Sequence, residues 1–307
     1  MNSIKLILLC SLIGVSTAFS QTNMNNQTEP VMTFQNVKTQ SVNVEGTEFF
    51  YRILGENKPG LPIIFLNHLS ATLDECDPRI IDGLAAEHQI ICFDNRGMGA
   101  TKGTTPLTIA EMTDDTIAFI KALGYDKVDL FGFSLGGFIV QEILLQEPQL
   151  VRRAILAGTG PAGGEGISKL PSVTYKDIFK GYLTFRDSKH YLFFNKNENG
   201  HKAAKDYLSR LKERKEDRVE KMRIKSLNNQ LKAIRAYGLQ SPQDLSVIKH
   251  PVLIVNGEHD KMVPSSNSTA LKNRIPNSEI ILYKDAGHGS IFQYHEDFVK
   301  RALEFLG

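Results

Sequence analysis

Cysteine is scarce in this 307-residue chain: three occur, and none has the paired Cys/His spacing of a metal site. A disulfide-stapled scaffold and a structural zinc module are both excluded, and nothing in the chain implies a cofactor. Charge of one sign is equally lacking. Lys plus Arg number 36 against 34 Asp plus Glu, a formal net charge of +2, which demands no polyanionic partner. The basic stretches are not interleaved with base-stacking aromatics, so no nucleic-acid partner is expected. Long apolar runs are missing too, apart from residues 6–15. That run follows Lys5 and precedes Ala18-Phe19-Ser20, the pattern of an export signal with a small-residue cleavage site. It is too short for a membrane span. Residues 1–20 are read as a signal peptide and 21–33, rich in Gln, Asn and Thr at its start, as a linker. Export to the periplasm or the medium is the resulting expectation, and membrane contact is not expected. Lipidation at Cys10 is rejected because Leu9 is bulky where a small residue is required. Of the other two cysteines, Cys92 lies in the apolar run Gln89-Ile90-Ile91-Cys92-Phe93, where cysteine acts as a small hydrophobe. A Cys76–Cys92 bridge is not expected.

What the chain does contain is Gly132-Phe133-Ser134-Leu135-Gly136. A strand-like run, Val128-Asp129-Leu130-Phe131, precedes it, and a helical one from Gly137 to Leu145 follows. Strand, sharp turn and helix make this pattern a nucleophile elbow, with Ser134 held out at the top of a sheet. A serine hydroxyl is a poor nucleophile by itself and needs a histidine to take its proton and a carboxylate to orient that histidine. Both follow in the order acid, then histidine. Asp260 ends the buried-strand pattern Val252-Leu253-Ile254-Val255-Asn256-Gly257-Glu258-His259, and His288 follows the strand-like Glu279-Ile280-Ile281-Leu282-Tyr283. Each candidate sits just past the carboxyl end of a strand, where open α/β sheets place their sites.

These motifs resemble those of α/β-hydrolases, in particular the group of cofactor-free haloperoxidases, perhydrolases and small-molecule carboxylesterases. The resemblance is carried by Phe93-Asp94-Asn95-Arg96-Gly97-Met98-Gly99, the elbow through Gly137, Gly257 to Pro264, and Ala286-Gly287-His288-Gly289. It covers residue 34 to the C-terminus and is vague between about 165 and 240. It implies serine-dependent acyl transfer and a structural role for Asp94 and Arg96. A tetrahedral oxyanion needs two N–H donors, and one is expected from Leu135, the residue after the nucleophile. The other is expected from the loop after the Ile63–Asn67 strand. Relatives have His-Gly-x there and this chain has His68-Leu69-Ser70, so Ser70 is the first choice and Leu69 the second. His68 reads as a brace for that loop, His259 as a surface residue and Phe133 as a pocket wall.

Strands alternate with helices from a hairpin at 34–54 through Val151–Ala157, which means a mostly parallel, doubly wound sheet. The rhythm breaks at Gly158 to Gly164. Residues 34–160 and 245–307 are expected to form the core, with 161–244 an inserted helical cap. Residues 161–250 hold nineteen Lys plus Arg against ten Asp plus Glu, and the remainder seventeen against twenty-four. A basic cap over an acidic base could steer anionic esters. The plainer reading is a solvated face, since Lys212 to Arg218 mixes signs at i,i+4 spacing. The cap aromatics Phe179, Tyr182, Phe185, Tyr191, Phe193 and Phe194 belong to a lid core, an acyl pocket or both. The expected activity is hydrolysis of a small-molecule carboxylic ester. The same triad would also serve perhydrolysis, C–C bond, lactone or peptide cleavage. A hydrolase-fold binding protein with little turnover is the alternative of another class.

Overall fold

The computed structural model describes residues 32–307. The expected signal peptide and all but the last two residues of the linker lie outside the described residues. Strand β1 (Gln40–Val44) and strand β2 (Thr47–Leu54) form an antiparallel hairpin that turns at Glu45 and Gly46, both at positive φ. Alternation begins at Gln40 rather than residue 34, because the amides of Asn36 and Val37 fold back onto Thr33 O at 3.1 and 2.9 Å. Next come β3 (Ile63–Leu66), α1 (Pro78–Ala85), β4 (Ile90–Phe93), α2 (Ile109–Ala122), β5 (Val128–Phe133), α3 (Leu135–Gln146) and β6 (Val151–Ala157). Helix α1 starts where it does because the Asp77 carboxylate accepts from the Arg79 amide at 3.0 Å and Pro78 occupies the first turn. Helix α2 is opened by a Thr108/Glu111 capping box.

The sheet has the order β1-β2-β4-β3-β5-β6-β7-β8, where β7 is Val252–Gly257 and β8 is Ser278–Tyr283. Strand β2 runs antiparallel to both neighbours, and β3 to β8 are parallel to one another. Strands β3, β4, β5 and β7 are buried along their whole length, as expected of strands covered by helices on both faces. From β3 the chain moves outward to β4 and then returns to the other side for β5. This reversal leaves a crevice beyond the carboxyl ends of β3 and β5.

Between β6 and β7 the insert consists of α4 (Leu170–Thr184), α5 (Lys189–Leu192), α6 (Glu198–Arg210) and α7 (Ile224–Tyr237), with no strand. Helices α8 (Ser266–Arg274), α9 (Ser290–Gln293) and α10 (His295–Leu306) complete the order. Residues 211–223 form neither helix nor strand, which corrects the i,i+4 reading of Lys212 to Arg218. Arg214 is buried there rather than solvated, its guanidinium donating to Phe34 O and Val37 O at 2.9 and 2.8 Å. The same guanidinium pairs with Asp217 at 2.8 Å, and capturing the two carbonyls matters because a buried acceptor without a partner is costly.

Candidate active site

The elbow is built as the run Gly132 to Gly136 implied. Ser134 has φ 56° and ψ −113°, a conformation that costs a non-glycine residue about 1–3 kcal/mol. Neighbours hold it: the Ser134 amide donates to Ala157 O on β6 at 2.8 Å, and the Thr159 hydroxyl donates to Ser134 O at 3.0 Å. Glycine is required because the turn presses on its surroundings. A Cβ on Gly136 would lie 2.0 Å from Leu66 O, and one on Gly132 would lie 2.5 Å from Gly136 O. The elbow is thus seated directly on the end of β3.

Ser134, His288 and Asp260, 154 and 28 residues apart in successive pairs, form one hydrogen-bonded chain. The Ser134 Oγ lies 2.9 Å from His288 Nε2, and His288 Nδ1 lies 2.7 Å from Asp260 Oδ2. The second carboxylate oxygen accepts from the Met262 and Val263 amides at 2.8 and 3.0 Å. Those bonds fix the carboxylate plane, and an acceptor-only carboxylate in turn makes His288 carry its proton on Nδ1. Nε2 is left with a lone pair facing the serine hydroxyl. All three groups are buried, and Ser134 is only 2% exposed. Phe133 and Phe193 pack against the imidazole, with ring centroids 5.1 and 5.4 Å from that of His288, and Phe292 packs behind them on both.

Two backbone amides at the crevice have no acceptor among the described residues. Leu135 is the first residue of α3, whose opening amides have no partner within the helix. The other is Leu69. The amide of Ser70 is already committed to Gln230 Oε1 at 2.8 Å, so the two residues exchange rank relative to the sequence expectation. Ser70 itself sits at φ 67°, the conformation a glycine would adopt freely. His68 braces the loop by donating from Nδ1 to Leu69 O at 2.7 Å, and its Nε2 is buried without a partner. Burial pushes its pKa down to about 4, so the ring is neutral near pH 7.

Gln230, on α7, carries no motif, and no sequence signal marks it. It belongs to a polar row in which Ser226 Oγ donates to Gly97 O and Asn229 Nδ2 to Thr105 O, at 2.8 and 2.9 Å. Ion pairs fasten the insert to the segment after β3 as well. Arg210 grips Asp77 through three contacts of 2.6–3.1 Å, Lys189 meets Glu75 at 2.9 Å, and Arg218 meets Asp74 at 3.2 Å. Part of the insert's positive charge therefore docks it on the core, a use that neither reading of the charge imbalance contained. The cap aromatics divide: Tyr191, Phe193 and Phe194 are buried, whereas Phe179, Tyr182 and Phe185 face solvent.

Asp94 accepts from the Leu73 and Ala100 amides at 2.7 and 2.9 Å, and burial pushes its carboxyl up to about 7. Arg96 is spent on Asp115 at 2.6 Å, and His259 is exposed. None of these three is bonded to Ser134, His288 or Asp260. Cys76 and Cys92 are free and buried. Among the described residues no group of three or more His, Cys, Asp or Glu is placed to hold a metal ion.

The chain is similar to known proteins to different degrees. A putative carbamate hydrolase RutD of Agrobacterium fabrum is 28% identical over 233 residues, covering 74% of this chain and 85% of that protein. A putative non-heme bromoperoxidase BpoC of Mycobacterium tuberculosis is 26% identical over 261 residues, covering 82% and 95%. A solved alpha/beta hydrolase fold protein from Chitinophaga pinensis superposes with a TM-score of 0.85 at 36% identity, covering 90% of this chain and 99% of that one. The family model described as alpha/beta hydrolase fold matches residues 62–293, a stretch that runs from β3 through the elbow and the acid loop to past His288. By that match and by the sheet that carries it, the chain belongs to the alpha/beta hydrolase fold family.

Proposed function

We propose that the protein is a serine hydrolase that cleaves small-molecule carboxylic esters by acyl transfer. The observation that carries the reading is the unbroken Ser134–His288–Asp260 hydrogen-bond chain. Ser134 Oγ attacks the ester carbonyl carbon as its proton passes to His288 Nε2, and Asp260 stabilises the imidazolium so formed. The amides of Leu135 and Leu69 receive the oxyanion, because both are unspent at the junction of the elbow and the β3 loop. The carbon–oxygen bond to the alcohol then breaks, and the alcohol leaves with the proton held by His288. Water repeats the sequence, freeing the acid and restoring Ser134. The Phe133 and Phe193 rings beside His288 suit an apolar acyl group.

Replacing Ser134 with Ala should abolish turnover of p-nitrophenyl acetate and labelling by a fluorophosphonate, with an unchanged circular dichroism spectrum. Undiminished turnover in the folded variant would overturn the assignment. Labelling of the wild type without turnover of any ester, lactone or amide would instead favour a binding protein built on this fold.

A further inference from the structure

Helix α4 is apolar on its outer face as well as on the inner one, where Leu170, Val173 and Ile178 pack against the core. Its other buried positions, Thr174, Asp177 and Gly181, are small or polar. Its solvent face carries Phe179, Tyr182 and Leu183 at 62%, 77% and 59% exposure, with Tyr175 one turn before them. A surface helix ordinarily turns its apolar stripe inward. Phe185 closes the helix at φ 53°, a left-handed cap position that favours glycine, and is 98% exposed. Helix α7 extends the patch. It lies antiparallel to α4, with Gly238 against Ser168 at one end and the Tyr175 hydroxyl donating to Asn228 at 2.8 Å further along. Ile224, one turn before Asn228 on α7, is itself 76% exposed.

The charges around these side chains select the partner. Lys176, Lys221 and Lys225 are exposed and have no acidic partner among the described residues. The nearby acids are spent: Asp177 on Lys261, and Glu220 on both Lys102 and Arg223. A second copy of the chain would present the same unpaired lysines and be repelled. Aromatic and aliphatic side chains ringed by cationic ones match the headgroup region of an anionic bilayer, where rings sit at the interface and lysines meet lipid phosphate. No helix among the described residues is long and apolar enough to cross a membrane, so contact would be peripheral.

We propose that the α4–α7 face docks the protein on anionic lipid membranes. This reverses the expectation of no membrane contact, because exposure of the α4 aromatics is a tertiary fact. Binding there needs nothing of the chemistry at Ser134.

The test is co-sedimentation of the full chain with vesicles of phosphatidylcholine alone or mixed with phosphatidylglycerol. The wild type should pellet with the mixed vesicles and be released by salt. A Phe179→Ser/Phe185→Ser variant should partition at least about tenfold less, from the loss of two buried rings. A Lys176→Glu/Lys225→Glu variant should lose the preference for phosphatidylglycerol. Both variants should keep the wild-type rate on a soluble ester, since every changed side chain is exposed. Absence of binding to mixed vesicles, or equal binding by wild type and both variants, would overturn the proposal. So would a concentration-dependent dimer that the same substitutions abolish, which would assign the face to a second copy.

Discussion

Replacing Gln230 with Met should slow catalysis while leaving substrate binding nearly intact. Ser70 is held at φ 67° by a part-buried hydrogen bond of 2.8 Å from its amide to Gln230 Oε1. The left-handed conformation costs a residue with a Cβ about 1–2 kcal/mol. Leaving the amide without an acceptor costs a further 1–3 kcal/mol or so. Met fills similar space but accepts no strong bond, so these two terms together favour a relaxed loop. Leu69, one residue away, would then move with it. Loss of one oxyanion donor lowers kcat by about 10²–10³, and displacement of that donor should cost about 10- to 100-fold. KM should change by less than about threefold, because the donor acts on charge that develops only in the transition state. Steady-state kinetics on p-nitrophenyl acetate read both constants, and thermal melting checks the fold. Gln230→Glu keeps an oxygen acceptor and should recover most of the rate. A folded Gln230→Met enzyme with kcat within about twofold of wild type would refute the idea that the cap sets the oxyanion loop.

Two further outcomes follow from buried titratable groups. His68 has its pKa lowered from 6.5 to about 4 by burial, so the unfolded chain binds the proton more readily. Its contribution to stability is present above pH 6.5 and is lost as pH falls toward 4, a loss on the order of 3 kcal/mol. Wild type should therefore lose stability relative to His68→Leu across that window in urea titrations, and a constant difference between the two would contradict the burial argument. Arg210→Met leaves the fully buried Asp77 carboxylate uncompensated and should destabilise the fold by about 3–5 kcal/mol in urea. A change below about 1 kcal/mol would mean that water or another cation replaces the guanidinium.

The sheet was readable because its strands are short apolar runs bounded by turn residues, and each such run is a local signal. Val252–Gly257 and Ser278–Tyr283 stand out in the chain before any contact is known. The order of Ser134, Asp260 and His288 was readable for the same reason, since each lies just past the carboxyl end of its own strand. The Ser70 and Leu69 ranking could not be read. It turns on an acceptor 160 residues away on a helix without a motif. The solvated reading of Arg214 failed in the same way, because the carbonyls it satisfies belong to Phe34 and Val37.

The chain by itself determined the strand–turn–helix at Ser134 and the acid and histidine that follow in order. Those features are written in short local runs, although the close approach that Gly136 permits is to Leu66 on β3. Tertiary structure decided which amide near Ser70 is free, where the positive charge of the insert is used, and which cap aromatics face His288 or water. Each of these depends on which face of α4, α6 or α7 meets the core, and on partners that no local window of sequence contains.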